Sequence, residues 1–181
     1  MLTRVGGLLL IVGSLVAVFL VVLVMGGTAV GLGGAEVNGP YVVGYFALIA
    51  AGTAAIAVGG VAPFGSLGAR LATANTSAGA LFLAVSGVGG ESTAILSLIG
   101  LLFMAIGLFA VGATLIRWPG WSKWTGAAML VGLLFTVAGT IGPREIQPVA
   151  FVGIALVLAS IAALGILALR AGGLRSAPAS T

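Results

Sequence analysis

One stretch decides the fold: Arg117-Trp118-Pro119-Gly120-Trp121-Ser122-Lys123-Trp124. It contains all three tryptophans of the chain, two of its seven basic residues and a Pro-Gly turn, and it separates two long uncharged segments. Tryptophan favours the headgroup region of a bilayer, and Lys and Arg concentrate in cytoplasmic loops. The stretch therefore predicts a short cytoplasmic turn between two membrane-crossing helices.

Composition assigns the chain to the membrane. Of its 181 residues, 61% are hydrophobic and only 6% are charged, whereas soluble domains carry roughly 25% charged residues. So few charges cannot cover a water-facing surface. We therefore predict an integral, multi-pass membrane protein, and we expect it in a prokaryotic plasma membrane.

The ten charged residues divide the chain into six long uncharged segments. These contain 31, 33, 20, 25, 20 and 24 residues in chain order. A helix needs about 20 apolar residues to cross the hydrocarbon core, so each segment fits one crossing and none fits two. The pattern predicts an all-α fold with one domain over residues 1–170, an antiparallel bundle of six transmembrane helices. Their expected ranges are 5–25, 41–61, 71–89, 94–116, 124–141 and 148–169.

Because successive helices cross the membrane in opposite directions, the charged residues between them fall alternately on its two sides. One face receives Arg4, Arg70, Arg117, Lys123, Arg170 and Arg175, and the other receives Glu36, Glu91, Arg144 and Glu145. Because basic residues mark the cytoplasmic side, both termini are predicted to be cytoplasmic. Residues 171–181 are expected to form a disordered cytoplasmic tail. The glycine-rich connection 26–40 is expected to be a surface loop, with re-entry into the bundle as the alternative.

Small residues recur at every fourth position on several predicted helices. Such stripes let helix backbones approach closely in lipid, so we expect packing faces there. The stripes are Ala47-Ala51-Ala55-Gly59, Ala72-Thr76-Ala80-Ala84, Ala128-Gly132-Thr136-Thr140 and Ala155-Ala159-Ala163. The fourth and sixth helices also match at a shift of 53 residues, Gly100 with Gly153 and Gly112 with Gly165. Duplication and chance both explain that match.

Two polar groups are candidate sites for a ligand. The carboxylates Glu36, Glu91 and Glu145 are predicted to share the outer face, where they either converge on a cation or solvate separate loops. We favour separate loops, because oxygen-only cation sites usually need more ligands. The run Asn75-Thr76-Ser77, together with Thr53, is the other candidate. These side chains either bind a ligand between helices or hydrogen-bond one helix to another.

A third group is a basic and aromatic face on the cytoplasmic side. Anchoring at the membrane interface is the expected role, and docking of anionic headgroups or of a cytoplasmic protein is the alternative. Nucleic acid is not expected as a partner, because the basic residues are too scattered to follow a phosphate backbone. The members of this face are Arg70, Arg117, Trp118, Trp121, Lys123, Trp124 and Arg170.

The residue types that the chain lacks limit the cofactors and reactions it can support. The chain has no cysteine and no histidine, which excludes His- or Cys-ligated haem and zinc and excludes iron–sulfur clusters. No cofactor or metal is expected. No ionisable residue falls in the middle of a predicted helix, whereas proton relays and ion-coupled carriers need such groups. We therefore expect a protein that is not an enzyme.

Three functions stay open, in order of preference. The first is a structural or accessory subunit of a membrane complex, with membrane lipids and either another membrane protein or a second copy as partners. The second is a binding or transport module for a small apolar or weakly polar solute, with its site near Thr53, Asn75, Thr76, Ser77 and the 26–40 connection. The third is a lipid-modifying enzyme that uses the outer carboxylates. A closed bundle centre would count against the second.

Overall fold

The computed structural model of the chain is built from helices. It describes residues 1–30, 38–60, 63–86 and 94–174, and these ranges contain no strand. Six α-helices, numbered in chain order, and one 3-10 turn at Arg144–Ile146 make up this part of the chain. The helices are α1 Leu2–Val30, α2 Asn38–Gly59, α3 Leu67–Ser86, α4 Ala94–Ile116, α5 Trp121–Ile141 and α6 Gln147–Leu174.

The predicted all-α fold with six helices is confirmed, and the range 94–116 matches α4 at both ends. Several other helices are longer than predicted, because a helix already formed gains a backbone hydrogen bond with each added residue. Residues 26–30 belong to α1, and residues 171–174 of the predicted disordered tail belong to α6. Residues 31–37 and 175–181, with Glu36 and Arg175, lie outside the described residues.

Within the described residues, four helical segments are long and apolar enough to cross a bilayer: Leu2–Phe19, Ile95–Ile116, Trp121–Ile141 and Arg144–Ala171. A shorter apolar segment, Val43–Gly59, lies in α2. The fourth segment is part of α6 and its preceding turn, so α1, α4, α5 and α6 are the candidate spans. Segments of this length and composition are typical of a membrane protein.

The six helices pack in a closed ring that follows chain order. Each helix packs mainly against its neighbours in the chain, and α1 closes the ring against α6. Neighbouring helices run antiparallel: Gly79 of α3 faces Gly100 of α4, and Thr76 faces Gly107. We call one end the tryptophan end; it contains the chain start, the α2–α3 connection, residues 117–120 and the end of α6. The opposite end, which contains the 3-10 turn, is the Glu145 end.

Pairs of facing glycines lie at five of the six helix contacts. In each pair, a Cβ atom added to either glycine would lie 2.5–3.2 Å from the backbone oxygen of the other. Such close approach is how helices associate when lipid offers no hydrophobic driving force. At the sixth contact, between α2 and α3, the Ser77 hydroxyl donates to the Ala50 carbonyl oxygen at 2.7 Å. The glycine pairs are Gly6–Gly52, Gly7–Gly165, Gly79–Gly100, Gly112–Gly126 and Gly132–Gly153.

The contacts extend the 53-residue match seen in the sequence. Gly79 and Gly100 face each other in the α3–α4 hairpin. Gly132 and Gly153, each 53 residues further along the chain, face each other in the α5–α6 hairpin. The match therefore includes the partner helices as well as α4 and α6, which favours repetition of a whole hairpin.

The predicted small-residue stripes meet different outcomes. The stripe on α3 is confirmed as a packing face, because Ala72, Thr76, Ala80 and Ala84 are all buried. The prediction that the stripe on α6 is a packing face is wrong. Ala155 and Ala159 are exposed, and α6 packs through the face that carries Gly153 and Gly165. Glycine permits closer backbone approach than alanine, so the glycine face is the one that packs. On α2, the first half of the stripe, Ala47 and Ala51, is likewise exposed.

Apolar side chains from all six helices fill the ring as one cluster. The members of the cluster at 0% exposure, such as Leu10, Ile49 and Met129, leave no space for a water molecule beside them. Phe64, in the α2–α3 connection, is 1% exposed and joins the same cluster at the tryptophan end. The bundle is therefore a packed structure rather than a pore along the part that these residues line. One fully buried residue from each helix shows the extent of the cluster: Leu10, Ile49, Ala80, Leu115, Met129 and Ala168.

Candidate functional site

The polar run Asn75-Thr76-Ser77 connects α3 to both neighbouring helices. The Asn75 side chain donates through Nδ2 to the Phe103 carbonyl oxygen on α4, at 2.8 Å. The Ser77 hydroxyl donates to the Ala50 carbonyl oxygen on α2. Asn75 and Ser77 therefore hydrogen-bond one helix to another, and ligand binding by this run stays a prediction.

The hydroxyl groups of Thr53 and Ser77 both lie within hydrogen-bond distance of the Ala50 carbonyl oxygen. The Thr53 Oγ1 lies 2.8 Å from the Ile49 carbonyl oxygen and 3.1 Å from that of Ala50, which also accepts the bond from Ser77. Thr76 donates to a carbonyl of its own helix at 3.0 Å. Thr53 and Thr76 are 2% and 1% exposed. The structure thus brings together the residues that the sequence grouped, and their hydroxyl hydrogens already have backbone acceptors.

Most other hydroxyl groups also bond to their own helix. Ser14 on α1 differs: it is 2% exposed, and its Oγ has no hydrogen-bond partner in the described part of the chain. Serine hydroxyls in helices commonly bond the carbonyl one turn earlier, so a side-chain rotation at Ser14 would satisfy the group. The residues that bond the carbonyl four positions earlier include Thr73, Thr114, Thr125, Thr136, Thr140 and Ser160.

Glu145 is the one predicted outer carboxylate that the structure describes. It is exposed in the 3-10 turn, beside the exposed Arg144. Glu36 and Glu91 lie outside the described residues. Convergence of the three carboxylates therefore stays a prediction.

The basic and aromatic residues predicted to share one face are exposed at the tryptophan end. Trp121 and Trp124 are each 74% exposed. The Arg70 guanidinium lies against Gly60, directly after the last residue of α2. A cation is favourable there because the carbonyl groups at a helix C-terminus carry partial negative charge. The complete set is Arg70, Arg117, Trp118, Trp121, Lys123, Trp124 and Arg170.

A cleft between α4 and α5 was not predicted from the sequence. Near the tryptophan end these helices touch where Gly112 faces Gly126. Leu101 and Val137 each lie 11 positions from their own glycine, about three helical turns, and so belong to the same two facing sides. Yet Leu101 is 56% exposed and Val137 is 52% exposed. The helices therefore diverge toward the Glu145 end.

The walls of the cleft are hydrocarbon. One turn beyond Leu101 and Val137, Leu98 and Ile141 are 69% and 82% exposed. At the inner edge, Met104 and Leu133 are half-buried and pack against the core cluster. The hydroxyl of Thr140 donates to a carbonyl of its own helix at 2.7 Å. The cleft is thus an apolar, laterally open groove.

The described residues form a helical bundle typical of a membrane protein, with a packed apolar cluster and a lateral groove between α4 and α5. No protein-family model, no curated protein and no solved structure matches the chain. The function is therefore argued from the geometry of the chain itself.

Proposed function

We propose that the chain is a six-span integral membrane protein that acts as a structural or accessory subunit of a membrane complex and catalyses no reaction. The observation that carries the proposal is the packed, uncharged centre of the ring. Side chains at 0% exposure fill it, and the buried Thr53 and Thr76 donate to backbone carbonyls. Transport and catalysis need polar or ionisable groups directed at a ligand, whereas assembly needs only a stable surface.

The closed ring supports six crossings rather than four. In an antiparallel ring, α2 and α3 run alongside helices that are long enough to cross a bilayer. Their backbone groups are bonded within helices, which is the condition for lying at membrane depth. Exposed basic residues cluster at the tryptophan end, and we assign this end to the cytoplasm of a prokaryotic cell by the positive-inside rule.

The two other functions receive less support. A solute site beside the fully buried side chains of the ring, such as Leu10 and Met129, conflicts with their 0% exposure. A lipid-modifying enzyme would use Glu36, Glu91 or Glu145, and of these the described Glu145 is exposed beside an arginine. General acid or base catalysis needs a carboxyl held within hydrogen-bond reach of the reacting group of the substrate.

The outward face of α2 offers a surface for a partner helix. Gly44, Ala47 and Ala51 are exposed, and a Cβ atom added to Gly44 would meet nothing within 4 Å. This small-residue surface is not used by the ring itself. Helices in lipid approach one another through such faces, so the partner is expected to be a transmembrane helix.

In vivo photo-crosslinking tests the proposal. A photoreactive amino acid at Ala51 should give a specific protein adduct in native membranes, and the same amino acid at Ala74 should give none. Ala74 is the matched control because it is an exposed alanine on the neighbouring helix α3. Equal adducts at both positions, or a lack of protein adducts at Ala51, would contradict the proposal. So would purification of a stable monomer that retains a solute in its centre.

A further inference from the structure

We propose that the cleft between α4 and α5 binds a zwitterionic phospholipid, with one acyl chain between the helices and the headgroup at the Glu145 end. This inference goes beyond the accessory role. It rests only on the part of the proposed function that places the protein in a bilayer. The cleft is bounded by Gly112 and Gly126 at its closed end and by Leu98 and Ile141 at its open end.

The apolar side chains that line the cleft favour an acyl chain over a polar group. Leu98, Leu101, Val137 and Ile141 carry only hydrocarbon, and they are 52–82% exposed. The Thr140 hydroxyl already donates to a backbone carbonyl. A polar ligand would lose its hydrogen bonds to water in such a groove without replacing them. A hydrocarbon chain makes no hydrogen bonds to water, so it loses none on entering the groove.

The shape of the groove favours an acyl chain over a partner helix. The helix contacts within the ring are built mainly on facing glycines, whereas the facing sides of the cleft carry Leu98, Leu101 and Val137. Bulky rims hold the backbone of an incoming helix away, and close backbone approach is what helix association in lipid requires. An acyl chain is narrow and flexible, so it can follow an irregular groove.

Charges at the open end match a zwitterionic headgroup. The chain leaves α5 at Ile141, beside the open end of the cleft, and reaches Arg144 and Glu145 within the next four residues. Both side chains are exposed. A guanidinium group pairs well with a phosphate, and a carboxylate pairs with an ammonium group. A phosphate and an ammonium group occur together in phosphatidylethanolamine.

The test is photolabelling of the full-length protein in phosphatidylglycerol vesicles, whose host lipid is not zwitterionic, with a trace of phosphatidylethanolamine that carries a photoreactive acyl chain. Labelled residues should map to 98–105 of α4 and 133–141 of α5. Labelling spread evenly over the outward faces of the other helices would overturn the proposal. So would a lack of labelling at the cleft.

A cleft-filling variant sharpens the test. Ala105 is exposed and lies seven positions, about two turns, from Gly112 on the side that faces α5. Ala105→Trp should reduce labelling of the cleft several-fold, and Ala74→Trp on the outward side of α3 should leave it unchanged. Equal labelling of both variants would overturn the proposal. The labelling map of the wild-type protein decides the matter even if Ala105→Trp fails to fold.

Headgroup recognition is tested separately. Phosphatidylethanolamine should label the cleft several-fold more than photoreactive diacylglycerol or phosphatidylglycerol does. Arg144→Gln should remove this preference, whereas Lys123→Gln, at the tryptophan end, should retain it. Equal labelling by the three lipids would overturn the proposal. Because Ala51 crosslinking reports on a partner at a different helix, failure of the lipid site and failure of the accessory role are distinguishable.

Discussion

At the scale of single residues, the surroundings of a glycine decide its role. Gly79 and Gly68 lie on the same helix, α3. A Cβ atom added to Gly79 would lie 2.7 Å from both the Gly100 carbonyl oxygen and the Met104 Cα atom, whereas one added to Gly68 would meet nothing within 4 Å. The first glycine is required by the fold, and the second is replaceable.

We expect Gly79→Ala to destabilise the ring by about 1–3 kcal/mol, the usual cost of overpacking a tight contact. The obstructing atoms are backbone, so they cannot rotate away. Gly68→Ala should be neutral or slightly stabilising, because alanine favours helix more than glycine does. Thermal unfolding in detergent, followed by tryptophan fluorescence, measures both. A similar midpoint for the two variants would contradict the glycine-pair account of helix packing.

A second residue-scale prediction concerns the hydrogen bond between α2 and α3. Ser77→Ala removes that bond, and we expect a loss of about 0.6 kcal/mol, the average for such bonds between membrane helices. Thr140→Ala removes a bond within one helix at an exposed position and should have a smaller effect. Denaturation in mixed micelles measures the difference. A larger loss for Thr140→Ala would mean that Ser77 does not hold α3 to α2.

At the scale of elements, the α2–α3 connection does more than join two helices. Its Phe64 is 1% exposed and belongs to the core cluster. Ser66 then begins α3 by accepting a hydrogen bond from the Ala69 backbone N–H at 3.2 Å. Arg70 of α3 packs on the end of α2. Phe64, Ser66 and Arg70 therefore hold the adjoining ends of α2 and α3 against the core at the tryptophan end.

We expect Phe64→Ala to destabilise the protein by about 3–5 kcal/mol, the range for emptying an aromatic core position. Leu67→Ala is the control, because Leu67 lies three residues further on and is 74% exposed. It should change stability little. Unfolding midpoints of the two variants provide the measurement. Similar midpoints would show that the connection is peripheral to the core.

At the scale of the whole molecule, the ring predicts how many times the chain crosses the bilayer. With six crossings, Gly65 in the α2–α3 connection and Pro143 after α5 lie on opposite sides. With four crossings, by α1, α4, α5 and α6 alone, they lie on the same side. The two positions therefore discriminate between the topologies.

Single-cysteine labelling makes this test direct, because the chain has no cysteine of its own. With an impermeant maleimide added to intact cells, Pro143→Cys should be labelled. Gly65→Cys should be labelled only after the membrane is permeabilised. Both positions are exposed, so access by the reagent does not limit the comparison. Labelling of both in intact cells would favour four crossings.

The sequence alone determined the element types and their number. An unpaired charge is costly in hydrocarbon, so the ten charged residues of this chain suffice to mark six helical segments. The grouping of Thr53 with Asn75-Thr76-Ser77 was also readable, since polar residues in apolar helices seek partners. The groups that accept their hydrogen bonds could not be predicted, because every residue has a backbone carbonyl and the sequence does not show which one lies nearby.

Only the tertiary structure decided which face of each helix packs. A stripe of small residues permits close approach but does not say which helix approaches, so the stripe on α6 was assigned to the wrong face. The ring, the role of Phe64 and the α4–α5 cleft depend on contacts between residues far apart in the chain. The size of the side chains at facing positions determines how closely two helices pack. Facing glycines permit close backbone approach, whereas the leucines, valine and isoleucine of α4 and α5 keep these two helices apart at the Glu145 end.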